Sequence, residues 1–188
     1  YLSRNDNTEQ FMDITTDGSY LYVVDKADHC VRRVEIVSSG TPTRTDYAGT
    51  CGTQGDGNNK LKGPAGITTD GRSLYISDTE NHRIMKVDLK TNTMTHFSGT
   101  GDPGSGSDPG RYNNPMGITT DGSYLYVADQ NGIHRVTISD ASLELMHIDL
   151  SYAYGVTTNG TYIYVANTSR HNIYRYDMQG GSETLFAG

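Results

Sequence analysis

Gly66-Ile67-Thr68-Thr69-Asp70-Gly71 is a short phrase that the chain repeats. It returns at Gly117 to Gly122, with Ile118-Thr119-Thr120-Asp121 between, and again at Asp13 to Gly18. A looser copy reads Gly155-Val156-Thr157-Thr158-Asn159-Gly160. The copies begin at residues 13, 66, 117 and 155, so they lie 53, 51 and 38 residues apart. Self-similarity at such a period marks a repeat architecture. Asp-Gly or Asn-Gly supplies the positive φ of a tight hairpin, so Ile-Thr-Thr reads as a short strand a ending in a turn. Next comes a Tyr-rich strand b: Tyr20 to Val24, Leu74 to Ile76, Tyr124 to Val127, Tyr162 to Val165. These runs stop at Asp25, Asp78, Asp129 and Asn167.

Two further runs complete each copy. Strand c is expected over Val31 to Ile36, Ile84 to Leu89, Ile133 to Ile138 and Ile173 to Met178. Strand d is expected over Asp46 to Thr50, Thr95 to Thr100, Leu143 to Ile148 and Thr184 to Gly188. No stretch holds a helical period for the length a helix needs. Tandem four-stranded antiparallel units are what a propeller stacks around its axis. The expected fold is therefore all-β: a β-propeller of four blades, near residues 11–50, 64–100, 115–149 and 153–188 of a single domain over 1–188.

Composition agrees with that reading. The 188 residues include 22 Gly and 14 Tyr but no Trp, and only 34% are hydrophobic. Tyr suits half-buried strands, because its ring packs while its hydroxyl reaches a polar partner. A net charge of −7, from 22 acidic and 15 basic residues, argues against nucleic acid as a partner. No run is long enough to span a bilayer as a helix, and no signal peptide is visible. The first residue is Tyr1, which points to a processed chain or a segment of a longer one.

The residues also resemble a known family. Asp78-Thr79-Glu80-Asn81-His82-Arg83-Ile84 is similar to the signature that gives NHL repeats their name. Asn114-Pro115-Met116-Gly117-Ile118 and Phe97-Ser98-Gly99-Thr100-Gly101 resemble the same family, and the likeness runs from about Phe11 to Gly188. NHL propellers usually close with six blades, whereas four are countable here. The resemblance thus implies a compact four-blade ring, part of a larger ring, or one completed by another chain. It implies the fold strongly and the function weakly.

Several positions invite chemistry. His29, His82 and His171 each stand four residues after the end of strand b. A ring of imidazoles binds metal, but a hydrogen bond tying the b–c turn is the better expectation, and the third repeat lacks the histidine. Arg33, Lys86, Arg135 and Arg175 form a column on strand c. They read either as a groove for an anion or, preferably, as partners of carboxylates such as Glu35, Asp88 and Asp177. The long connections Cys51 to Gly63 and Gly101 to Asn114 are rich in Gly, Asp and Asn. Asp56, Asn58, Asn59, Asp102 and Asp108 are their candidate binding residues, since function concentrates in loops on a rigid scaffold. Gly55-Asp56-Gly57-Asn58-Asn59 has oxygen ligands for calcium but lacks EF-hand spacing and its distal Glu. Asn159-Gly160-Thr161 and Asn167-Thr168-Ser169 have the form of glycosylation acceptors at Asn159 and Asn167.

No nucleophile elbow, zinc-protease helix or phosphate loop is present, and the repeated Asp residues read as turn caps. No cofactor and no catalysis are expected. The favoured function is an extracellular or cell-surface module that binds protein or glycan, or self-assembles through blade edges. The alternative is a metal-dependent lactonase- or lyase-like propeller. Finally, Cys30 opens strand c of the first blade and Cys51 follows its strand d. Their midpoint falls at the c–d connection, so antiparallel pairing sets them opposite one another at disulfide distance. Such a bond belongs to an oxidising compartment.

Overall fold

The computed structural model describes residues 9–104, 110–147, 150, 152–178 and 183–188. It is all-β, with four antiparallel four-stranded sheets arranged as a four-blade propeller. Blade 1 comprises β1 (Phe11–Thr16), β2 (Tyr20–Asp25), β3 (Cys30–Glu35) and β4 (Arg44–Ala48). Blade 2 comprises β5 (Gly66–Thr69), β6 (Ser73–Asp78), β7 (Arg83–Asp88) and β8 (Thr93–Ser98). Blade 3 comprises β9 (Ile118–Thr120), β10 (Tyr124–Ala128), β11 (Ile133–Thr137) and β12 (Leu143–His147). Blade 4 comprises β13 (Ala153–Thr158), β14 (Tyr162–Asn167), β15 (Asn172–Asp177) and β16 (Glu183–Ala187). The one helical turn among the described residues is a 3-10 turn at Thr79–Asn81.

The hairpins show why the repeated phrase folds as it does. Asp17 Oδ1 accepts the amides of Ser19 and Tyr20, each at 2.8 Å, while Oδ2 accepts the Tyr22 hydroxyl at 2.8 Å. Asp70 does the same for Arg72, Ser73 and Tyr75, and Asp121 for Ser123, Tyr124 and Tyr126. The preceding threonine closes the other side: Thr16 Oγ1 donates to the Tyr20 carbonyl and accepts the Gly18 amide. Gly18, Gly71, Gly122 and Gly160 all take positive φ between 84° and 92°. Burial works against the Asp17 carboxylate, yet the Tyr20 amide and the Tyr22 hydroxyl hold it below the ordinary range. Burial and that same carboxylate push the Tyr22 phenol upward.

Strand d ends earlier than the sequence suggested. In every blade the c–d pairing slips by one residue, between Val31/Arg32, Ile84/Met85, Ile133/His134 and Ile173/Tyr174. This bulge twists strand d away. In blades 1 and 2 a positive-φ glycine follows, at Gly49 and Gly99. A Cβ on Gly49 would press against the His29 carbonyl at 2.9 Å, and one on Gly99 against the His82 carbonyl at 2.7 Å.

The core lies between blades. Each blade has a leading face, turned toward the next blade, and a trailing face, turned toward the one before. Leading residues Tyr22, Val24 and Val31 of blade 1 pack on trailing residues Leu74, Ile76 and Met85 of blade 2. Tyr75 and Ile84 then meet Leu125, Val127 and Val136, and Tyr126 and Ile133 meet Ile163, Val165 and Tyr176. Strands β1, β5, β9 and β13 are innermost and touch in that order; β13 and β1 are not among the strands that pack closely. The outer faces of blades 1 and 4 are accordingly open, with Ile14 54%, Ile173 39% and Phe186 54% exposed. What is left uncovered at the two ends is a sheet face, where the sequence had suggested blade edges.

Candidate functional site

In the first three blades the aspartate ending strand b is a buried hub that joins the blade to its own lead-in loop. Asp78 accepts the Lys62 amide at 2.7 Å, Asn81 Nδ2 at 2.8 Å and Arg83 Nε at 2.7 Å. Asp129 accepts the amides of Asn113 (2.7 Å), Asn131 (2.7 Å) and Gly132 (2.9 Å), and His134 Nε2 at 2.9 Å. Asp25 takes the Gln10 amide and the Arg32 guanidinium, which also pairs with Asp28 and Asp46. A carboxylate removed from water needs such partners. The basic residue comes from one strand position in blades 1 and 3, Arg32 and His134, and from two residues earlier in blade 2, Arg83, which hid the pattern from the sequence. Burial pushes the Asp78 carboxyl up, against the hydrogen bonds of Asn81 and Lys62.

These hubs stiffen the two long loops. Arg83 reaches back to the carbonyls of Asp56 (2.6 Å), Gly57 (3.2 Å) and Lys60 (3.2 Å), and Asn81 Nδ2 holds the Gly55 carbonyl at 2.7 Å. The third blade repeats the device, with Asn131 Nδ2 on the Gly104 carbonyl at 3.2 Å. Leu61, Tyr112 and Leu150 plug the junctions from above, all completely buried. The sequence reading missed them because they sit in loops of unequal length. Their signal is an apolar residue two places before Gly63, Asn114 or Tyr152, all of which have positive φ.

Cys30 and Cys51 are joined, with Cα atoms 5.1 Å apart. Because β4 stops at Ala48, Cys51 lies in the turn beyond it, and the bond ties the first loop to the b–c turn of blade 1. Asp56 and Asp102, from different loops, line one polar hollow of about 300 Å³ with Asn81, Arg83 and Thr100. Asn58 and Asn59 are exposed but do not line it. Asp108 lies outside the described residues. Among the described residues no three His, Cys, Asp or Glu side chains converge as metal ligands would. A second cavity, of about 390 Å³, runs between the innermost strands and is lined by Asp13, Thr68, Thr119 and Thr157 among others. Burial raises the Asp13 carboxyl, although it accepts the Ile67 amide of the next blade at 2.9 Å.

His29 and His82 act between blades rather than within a turn, while His171 is exposed. His29 Nδ1 accepts the Gly63 amide and His82 Nδ1 the Asn114 amide, each at 3.1 Å, both from the next blade's lead-in loop. Where blade 3 has no histidine, the Gln130 carbonyl receives the Tyr152 amide at 3.4 Å. The cation column also differs from expectation. Arg33 lies 4.5 Å from the Tyr20 ring centre, Lys86 5.6 Å from Tyr75, Arg135 5.0 Å from Tyr124 and Arg175 4.5 Å from Tyr162. No ion pair joins Arg33 to Glu35 or Lys86 to Asp88; Arg135 pairs instead with Glu144, at 2.6 Å across the ladder. Residues two apart on one strand are farther from each other than from the facing side chain on the neighbouring strand.

The possible sugar acceptors part company. Asn159 sits in an exposed hairpin, its Oδ1 accepting the amides of Thr161 and Tyr162. Asn167 is 2% exposed and is the hub of blade 4, accepting the amides of Ser169 and Arg170. Its amide nitrogen is closed to a modifying enzyme in the folded chain. Among the described residues no helix is long and apolar enough to cross a membrane.

An LVIVD repeat model matches residues 114–148, the third blade. NHL repeat-containing protein 2 of Homo sapiens is 36% identical over 99 residues, covering 48% of this chain. Its Gallus gallus counterpart is 35% identical over 97 residues, covering 47%. The chain spans 14% and 13% of those two relatives. Among solved structures, one chain of a nidogen/laminin complex matches with a TM-score of 0.60 at 17% identity, covering all of this chain and 88% of that one. A chain of Kuenenia stuttgartiensis hydrazine synthase matches with a TM-score of 0.66 at 16% identity, covering all of this chain and 53% of that one. Likeness at that identity speaks for the fold alone. With its four blades and its repeated phrase, the chain is a β-propeller that is similar over 48% of its length to NHL repeat-containing protein 2.

Proposed function

We propose that this propeller is a non-catalytic, extracellular or cell-surface module that binds a protein or glycan through the face carrying its two long loops. One observation carries the reading: Asp56 and Asp102 stand exposed at a hollow whose walls are held by buried hydrogen bonds of Arg83 and Asn81. Such a hollow is pre-organised, so little ordering opposes a ligand. The buried carboxylates Asp25, Asp78 and Asp129 serve as structural hubs. The disulfide supports an oxidising compartment.

A glycan array, with a panel of extracellular proteins alongside, tests the reading with wild type and the double variant Asp56→Ala/Asp102→Ala. Wild type is expected to retain a ligand that the variant loses at least tenfold. Metal-dependent turnover of lactones or esters by wild type, with binding unaffected in the variant, overturns it.

A further inference from the structure

The two threonines of the repeated phrase are used differently. The second, at Thr16, Thr69, Thr120 and Thr158, donates to a carbonyl of its own hairpin. The first, at Thr15, Thr68, Thr119 and Thr157, lines the cavity of about 390 Å³ between the innermost strands. None of these four hydroxyls has a protein partner among the described residues, although Thr68 is only 9% exposed. A valine would serve the strand as well, so the strand alone does not account for a donor and acceptor at each of these places.

One carboxylate joins the hydroxyls. Asp13 stands where the other blades have Gly66, Gly117 and Gly155, and it lines the same cavity. Strand β1 is bulged between Phe11 and Ile14, which re-aims the side chain. Its Oδ1 accepts the Ile14 amide at 2.8 Å and its Oδ2 the Ile67 amide at 2.9 Å, so each oxygen keeps a lone-pair position. Among the described residues no Lys, Arg or His lines the cavity. Burial raises the Asp13 carboxyl, as it does for a charge without a countercharge. Asp13, Thr68 and Thr119 come from three consecutive inner strands, β1, β5 and β9, which pack side by side.

We infer that this cavity is a second binding site, separate from the loop hollow, for a small organic cation carrying a primary ammonium group. The ammonium offers three N–H donors, which match the remaining lone pairs of Asp13 and hydroxyl oxygens such as that of Thr68. Met116, Ile118 and Val156 supply aliphatic wall for its carbon chain. A bare metal ion would leave most of the space unfilled, since one water molecule takes about 30 Å³. A single carboxylate is also poor provision for calcium.

Isothermal titration calorimetry in amine-free buffer at fixed ionic strength tests this, with n-butylammonium, n-butanol, butyrate, tetramethylammonium and calcium chloride as probes. n-Butylammonium is expected to bind, and the neutral alcohol, the anion and the quaternary ion each bind at least about tenfold more weakly. Asp13→Asn keeps the size of the side chain and an acceptor for one amide, and near-ultraviolet circular dichroism confirms that it folds. It is expected to lower n-butylammonium affinity at least about tenfold. Thr68→Val lowers it about three- to tenfold, while Asp56→Ala/Asp102→Ala leaves it unchanged, which separates this site from loop-mediated binding. Equal affinity for n-butanol, or n-butylammonium binding that survives Asp13→Asn, overturns the assignment. Uptake of calcium without n-butylammonium overturns it in favour of a metal ion, and a wild type that binds no probe overturns it outright.

Discussion

Blades 2 and 4 share key positions of the repeat and live differently. Gly66 and Gly155, Ile84 and Ile173, His82 and His171 occupy the same places in the repeat. In blade 2 the glycine receives a neighbour's carbonyl, the isoleucine is fully buried and the histidine accepts a neighbour's amide. In blade 4 all three face outward. A residue's importance in this fold is therefore set by what stands on the far side of the junction, which its own blade does not specify.

The largest effects should come from filling or emptying a closed junction. Gly66→Ala drives a methyl into the Met116 backbone, and Ile84→Ala leaves a cavity; each is expected to cost about 2–4 kcal/mol in urea melts. Gly155→Ala and Ile173→Ala should cost under about 1 kcal/mol in the same melts of the monomer. Equal losses in the two blades would break the comparison.

Next in size is the disulfide, which does for blade 1 part of what Arg83 does for blade 2. Closing a loop with a sequence separation of 21 residues stabilises by about 3 kcal/mol on the loop-entropy account. Reduction, or Cys51→Ser, should lower stability by up to that amount. Thiol titration of the denatured, unreduced protein should find no free cysteine.

The smallest effect is the histidine latch. His82→Ala is expected to cost about 1 kcal/mol, and His171→Ala nothing measurable in the monomer. The latch also has a pH sign. Burial, aided by Lys62, holds the His82 imidazole below its ordinary value, so the folded state binds its proton less tightly than the unfolded chain does. Its contribution is complete above the unfolded value and is lost as pH falls through the folded one. A stability–pH profile of His82→Ala against wild type should therefore converge on the acid side.

Local features were legible in the sequence. Thr-Thr-Asp-Gly makes its hairpin from contacts within a few residues, and Cys30 and Cys51 flank a single hairpin, although its register sets Val31 opposite Ala48 and leaves Cys51 in the turn beyond. Features that need a second blade were not. The histidine position was visible, but its partner is chosen by whichever lead-in loop lies above it. The carboxylates expected for Arg33 and Lys86 yielded to rings on adjacent strands. Leu61, Tyr112 and Leu150 carry no strand pattern, so only the interblade packing reveals what they do.

The order in which the innermost strands touch has a consequence for how cooperativity is distributed. Among the described residues the close contacts between innermost strands join each blade to its sequence neighbours, so coupling runs along the chain as in a one-dimensional zipper. Within the described residues blades 2 and 3 are held from two sides and blades 1 and 4 from one. Opening therefore begins at the ends, and amide protons should exchange in a gradient that is slowest at the β5–β9 contact. Every junction also closes over neighbouring repeats, so a ribosome can release the molecule in finished instalments, each new blade zipping onto the last.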